Sequence, residues 1–76
     1  MNNTRRKALA KIAEKLEELM FDLEAIRDEE QEAFDNMPEG LQESEKGDMM
    51  SEAIDSLDSA ISDIESSMDS INEAIG

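Results

Sequence analysis

Apolar residues recur along the last third of the chain at alternating steps of three and four: Ile54, Leu57, Ile61, Ile64, Met68, Ile71 and Ile75. That spacing lines one face of an α-helix and suits coiled-coil packing, in which the apolar stripe must find a facing helix. Ala53, Ala60, Ser67 and Ala74 repeat every seventh residue beside this seam and would let a neighbouring helix come close along one side. The first half of the chain carries a matching pattern in Leu9, Ile12, Leu16, Leu19, Leu23 and Ile26, whose register continues through Glu30, Ala33 and Met37. Glu30 interrupts it. A second, narrower stripe of Ala13, Met20 and Phe34 runs alongside and is assigned to self-association rather than to the hairpin partner.

Between Asn3 and Asn36 there is no Gly or Pro, and Ala, Leu, Glu and Lys dominate, so local propensity agrees with a first helix over about residues 4–36. Thr4 is the expected N-cap, which leaves Arg5, Arg6 and Lys7 at the wrong end for the helix dipole. The segment Asn36-Met37-Pro38-Glu39-Gly40 is a stop, because a residue before Pro avoids helical geometry and Asn and Gly supply turns. The pattern thus predicts a turn over about 37–45 and a second helix over about 46–75. Ser44 caps that helix, Glu45 favours its first turn and Gly76 follows its end. Gly47 either weakens the first turn or lets a partner approach the backbone closely.

All of this fits one domain, residues 1–76, folded as two long antiparallel helices of roughly 50 and 42 Å at ~1.5 Å per residue. Antiparallel pairing sets Arg5, Arg6 and Lys7 near Asp69, Glu73 and the carbonyl end of the second helix, which resolves the dipole conflict. With 76 residues and neither Cys nor His, the chain has no disulfide or zinc site to staple a small core. The expected fold class is therefore all-α: a helical hairpin that self-associates into a homodimer or higher coiled-coil-like oligomer, most simply an antiparallel four-helix bundle joined by an isologous contact. Leu9, Ile12, Leu16, Leu19, Leu23, Ile26, Ile54, Leu57, Ile61, Ile64, Met68 and Ile71 are the expected core and self-association residues. Whether one hairpin runs parallel or antiparallel to the other is left open.

Charge changes the picture. The net charge of -14 comes from 21 acidic and 7 basic residues, distributed unevenly. Residues 1–15 are net +4, residues 16–45 net -11 and residues 46–76 net -7. Direct nucleic-acid binding is not expected, since affinity for phosphate backbones comes from Lys and Arg. An acidic surface either only keeps the protein soluble or favours basic partners. Met1 to Lys7 is basic but leads into the charged, periodic Ala8-Leu9-Ala10-Lys11-Ile12, which resembles neither a signal peptide nor a membrane span. A cytoplasmic location is the default expectation.

Candidate chemistry adds little. Without His or Cys, no base can be oriented on a nucleophile, and Ser56, Ser59, Ser62, Ser66 and Ser70 lie on the outer face of the second helix. A thin bundle gives little enclosure for a desolvated carboxylate, so neither catalysis nor a cofactor is expected. The carboxylates lack the His that di-iron bundles use. In Asp35 to Lys46, Gly40 falls at the sixth position of a calcium loop, but Met37 and Lys46 occupy the third and twelfth, where oxygen ligands belong. Phe21 should point away from the hairpin partner and either anchors a partner protein or packs in the contact between copies. Phe34 should pack with Met37, Leu41, Met49 or Met50 to close the turn end.

The run Asp28-Glu29-Glu30-Gln31-Glu32-Ala33-Phe34-Asp35-Asn36-Met37-Pro38-Glu39, then Leu41-Gln42-x-Ser44-Glu45-x-Gly47 and Ala53-Ile54-Asp55-Ser56-Leu57, resembles a set of small acidic helical proteins encoded by bacteriophages and prophages. The resemblance spans Arg5 to about Ile64. It implies a phage context, in which such proteins often inhibit host factors, including nucleases that bind DNA. No functional residues carry over from it. The leading expectation is a non-catalytic binding inhibitor in the host cytoplasm that engages a basic host protein. Its candidate contacts are Phe21, Asp28, Glu29, Glu32 and Asp35 on the first helix and Asp55, Asp58, Asp63 and Glu65 on the second. The alternative is a self-assembling structural or scaffolding bundle with no inhibitory role.

Overall fold

A computed structural model describes residues 1–76 as three α-helices: α1 (Asn3–Asp35), α2 (Glu39–Gln42) and α3 (Glu45–Ile75). The two long helices pack antiparallel. The resulting rod measures 58 × 15 × 12 Å, and its radius of gyration of 17.2 Å far exceeds the ~11 Å of a compact globule of this length. Its core is correspondingly thin. Ala13, Ile54 and Ile61 are its only buried apolar residues, and no side chain is fully enclosed.

Caps explain the boundaries. Asn2, not Thr4, begins α1: its extended backbone lets Oδ1 accept from the Arg5 N–H at 2.9 Å, and Thr4 lies within the first turn. At the other end the Asn36 N–H still reaches the Glu32 carbonyl at 3.0 Å, after which Pro38 turns extended and stops the helix. The stretch expected to be a plain turn contains α2, because Pro38 can open a helix as well as end one. The Pro38 carbonyl accepts from the amides of Leu41 and Gln42 at 2.9 and 3.1 Å. Ser44 caps α3 as expected, its Oγ accepting from the Gly47 N–H at 3.4 Å while its hydroxyl donates to the Leu41 carbonyl. Glu45 and Asp48 place negative charge in that first turn, where the dipole favours it.

Gly47 is a close-approach residue within the chain's own turn. A Cβ there would lie 2.0 Å from the Gln42 carbonyl oxygen and 2.7 Å from that of Leu41. Absence of a side chain therefore lets α2 fold back onto the start of α3. Gln42 completes the joint by donating from Nε2 at 2.9 Å to the Phe34 carbonyl, which also accepts from the Met37 N–H at 3.1 Å. Phe34, Met37 and Met50 are half-buried at this end, whereas Leu41 and Met49 remain 50% and 64% exposed and do not close it.

The seam on α3 is the expected one: Ile54 and Ile61 are buried and Leu57, Ile64, Met68, Ile71 and Ile75 half-buried. The seam on α1 is not. Leu9, Leu16 and Leu23 do face α3, but their companions are Ala13, Met20, Arg27 and Phe34, the set one residue further on. Ile12, Leu19 and Ile26 are left 46%, 54% and 54% exposed. Both sets lie beside the leucines, so helical spacing permits either. The anchoring of Phe34 at the turn, the small Ala13 and the pairing of Arg27 across the seam all favour the rotation seen here.

Candidate functional site: two edges of the hairpin

Two hydrogen bonds fix the register between the helices. Arg6 Nε donates to the Ile75 carbonyl at 3.1 Å, and Arg27 Nη1 donates to Asp58 Oδ1 at 2.9 Å. The basic tip thus meets the carbonyl end of α3 as expected, but through Arg6 and the backbone. Neither Asp69 nor Glu73 forms an ion pair with it, because the bare carbonyls offer the nearer acceptor.

Because Arg27 and Asp58 meet on one side of the seam, the 100° step of each helix assigns the residues flanking the seam to one edge or the other. Glu17, Glu24, Asp28, Asp55 and Glu65 fall on the Arg27–Asp58 edge, which is acidic. The opposite edge carries Ile12, Leu19, Ile26 and Ala33 from α1 beside Ala53, Ala60, Ser67 and Ala74 from α3. With the helices antiparallel, Ile12 comes level with Ala74, Leu19 with Ser67, Ile26 with Ala60 and Ala33 with Ala53. Large side chains on one helix thus sit across from small ones on the other.

The candidate partner contacts are all exposed, yet they do not form one patch. Phe21, 55% exposed, shares a line along α1 with Asp28, Glu32 and Asp35, at intervals of seven, four and three residues. That line faces away from α3. Asp55, Asp58 and Glu65 adjoin it across the acidic edge, while Glu29 and Asp63 lie round toward the apolar edge.

Some of these carboxylates are already engaged. Arg27 donates from Nε and Nη2 to Asp28 Oδ1, at 3.1 and 3.0 Å, besides its bond to Asp58. These bonds hold the guanidinium above its ordinary pKa, the Asp58 bond contributing most and Asp28 next, with desolvation opposing both. Asp35 accepts from Gln31 Nε2 at 2.9 Å. The unengaged charge therefore lies mainly on Glu29 and Glu32 of α1 and on Asp55, Asp63 and Glu65 of α3. Arg27 did not enter the sequence-based site, although it was visible as the only base between Leu16 and Glu45, one helical turn after Leu23.

The surface has no pocket, and no three carboxylates converge as a metal cage would require. No helix is long and apolar enough to cross a membrane. Compared with protein-family models, curated proteins and solved structures, the chain has no match.

Proposed function

We propose that the protein is a non-catalytic interaction module, a phage accessory protein that uses its acidic edge and the Phe21 line to bind and inhibit a basic host protein, of defence or of nucleic-acid binding, in the host cytoplasm. The observation that carries this reading is the line of Phe21, Asp28, Glu32 and Asp35 on the side of α1 that faces away from α3, with Glu29 beside it. An exposed aromatic within a field of carboxylates combines a desolvating anchor with electrostatic steering. The resemblance to small acidic phage proteins supplies the context. In this reading the module carries no cofactor and makes no direct contact with nucleic acid, and its hairpins pair into a homodimer.

The test is affinity capture from host lysate at about 0.1 M and about 1 M salt, between which the Debye length falls from ~10 to ~3 Å. A basic protein held at the lower salt and released at the higher is expected, with loss of capture by the triple variant Asp28→Lys, Glu29→Lys, Glu32→Lys. Equal capture by a folded triple variant would sink the inhibitor reading. The exposed stripe of Ile12, Leu19 and Ile26 favours a second reading, a self-assembling structural bundle, whose contacts would persist at the higher salt.

A further inference from the structure

We infer that the apolar edge is the contact between two copies of this chain, and that the hairpins stack antiparallel with their turns at opposite ends of the rod. The inference rests on the self-association proposed above and adds its face and its direction. Ile12, Leu19 and Ile26 are about half exposed in a hairpin whose own core buries only three apolar residues. No cover for them exists within the chain, since α3 already lies on the neighbouring face of α1. The stripe from Ile12 to Ala33 runs for roughly 32 Å of the 58 Å rod at ~1.5 Å per residue, a length that a second copy can follow.

Charge and spacing choose the occupant and its direction. The stripe Ile12, Leu19, Ile26, Ala33 is centred between Asp22 and Leu23. A two-fold axis crossing the rod there sets Leu19 against the partner's Ile26 and Ile12 against the partner's Ala33. The same axis brings Lys15 within one residue of the level of the partner's Glu29, on the flank of the stripe, and the pair occurs twice. It also passes between Ala60 and Ser67 on α3, so the small-residue stripes meet about the same centre and the copies can approach closely.

A two-fold along the rod would instead lay α1 over the partner's α3. Lys15 would then face the neutral Ser70 and Glu29 the neutral Ser56, while Asp22 and Asp63 meet like charge equally often in either arrangement, so the Lys15–Glu29 pairs decide. A second copy placed antiparallel thus matches the basic tip of each chain to the acidic stretch of the other. Side-chain pairing of this kind is how flanking charges set orientation in helical assemblies.

The 76-residue chain is tested by sedimentation equilibrium and, because it contains no cysteine, by single-cysteine trapping. A dimer is expected at micromolar concentration. Leu19→Lys with Ile26→Lys should convert it to a monomer, and Asp22→Asn should tighten it several-fold by removing two like charges at the axis. Mixed K15C and E29C chains should form the heterotypic disulfide dimer in preference to either homotypic one, a readout that needs no destabilising change in the seam. A wild-type monomer at hundreds of micromolar would overturn both self-association and this contact. A dimer indifferent to the two lysines would overturn the face alone, and preferential K15C–K15C trapping would overturn the direction.

Discussion

The two long helices use nearly the same alphabet but are differently constrained. α3 has one apolar phase, and all its large residues from Ile54 to Ile75 turn toward α1. α1 has two phases that share Leu9, Leu16 and Leu23, and the hairpin takes the one containing Ala13, Met20, Arg27 and Phe34. A helix with one stripe has its rotation set by hydrophobic burial. For a helix with two stripes, local anchors make the choice, and the unused stripe remains available for another chain.

The largest test of this contrast compares Ile61→Ala with Leu19→Ala. Ile61 is 7% exposed, so its truncation should cost roughly 2–4 kcal/mol at any protein concentration. Leu19 is 54% exposed, so within one hairpin its truncation should cost less than about 1 kcal/mol. Any further loss should depend on concentration, as association requires. Urea titrations at two concentrations measure both, and equal costs at the lower one would erase the distinction between the stripes.

The next effect concerns the anchors at the turn. Gly47→Ala would drive a methyl into the Gln42 carbonyl and should destabilise by roughly 1–3 kcal/mol. Gly40→Ala meets nothing within 4 Å and should stabilise by about 0.4–1 kcal/mol through the unfolded chain. Thermal melts should therefore shift in opposite directions. If both alanines stabilise, the close approach of α2 to α3 does not set the geometry of the joint.

The smallest contrast is between the caps. Ser44→Ala removes the cap of α3 at a packed joint and should cost ~1 kcal/mol. Asn2→Ala removes the corresponding cap of α1 at the open end of the rod, where no turn packs against it, and should cost only a few tenths of a kcal/mol. Circular dichroism during denaturant titration resolves the difference. Reversed sizes would mean that the open end of the rod, and not the turn, is the better-ordered one.

The same contrast explains what the sequence could disclose. The all-α hairpin, the α3 seam, the Ser44 cap and the meeting of the basic tip with the α3 carbonyls were legible because each rests on local spacing or a single dominant interaction. The α1 seam was not, since Ile12 and Ala13 are adjacent in sequence and only tertiary anchoring decides between them. Apolar size favoured Ile12, Leu19 and Ile26, while Phe34 at the turn and Arg27 opposite Asp58 decided for the other set. α2 escaped because Pro38 reads equally as a terminator and an initiator. Of the candidate site, exposure was legible, but its division between two edges depends on the side of the seam at which Arg27 meets Asp58, which only the packed hairpin sets.

The hydrogen bonds that tie the two halves together grow steadily in reach. Gln42 joins Phe34 across eight residues, Arg27 joins Asp58 across 31, and Arg6 joins Ile75 across 69. Each bond nearer the turn shortens the loop that the next must close, so the entropy of closure is met in small steps. A chain connected in this way closes like a zip, starting where α2 is pinned at Gly47. Its amides should gain exchange protection in that order and lose it in reverse, leaving the Arg6 end open most often.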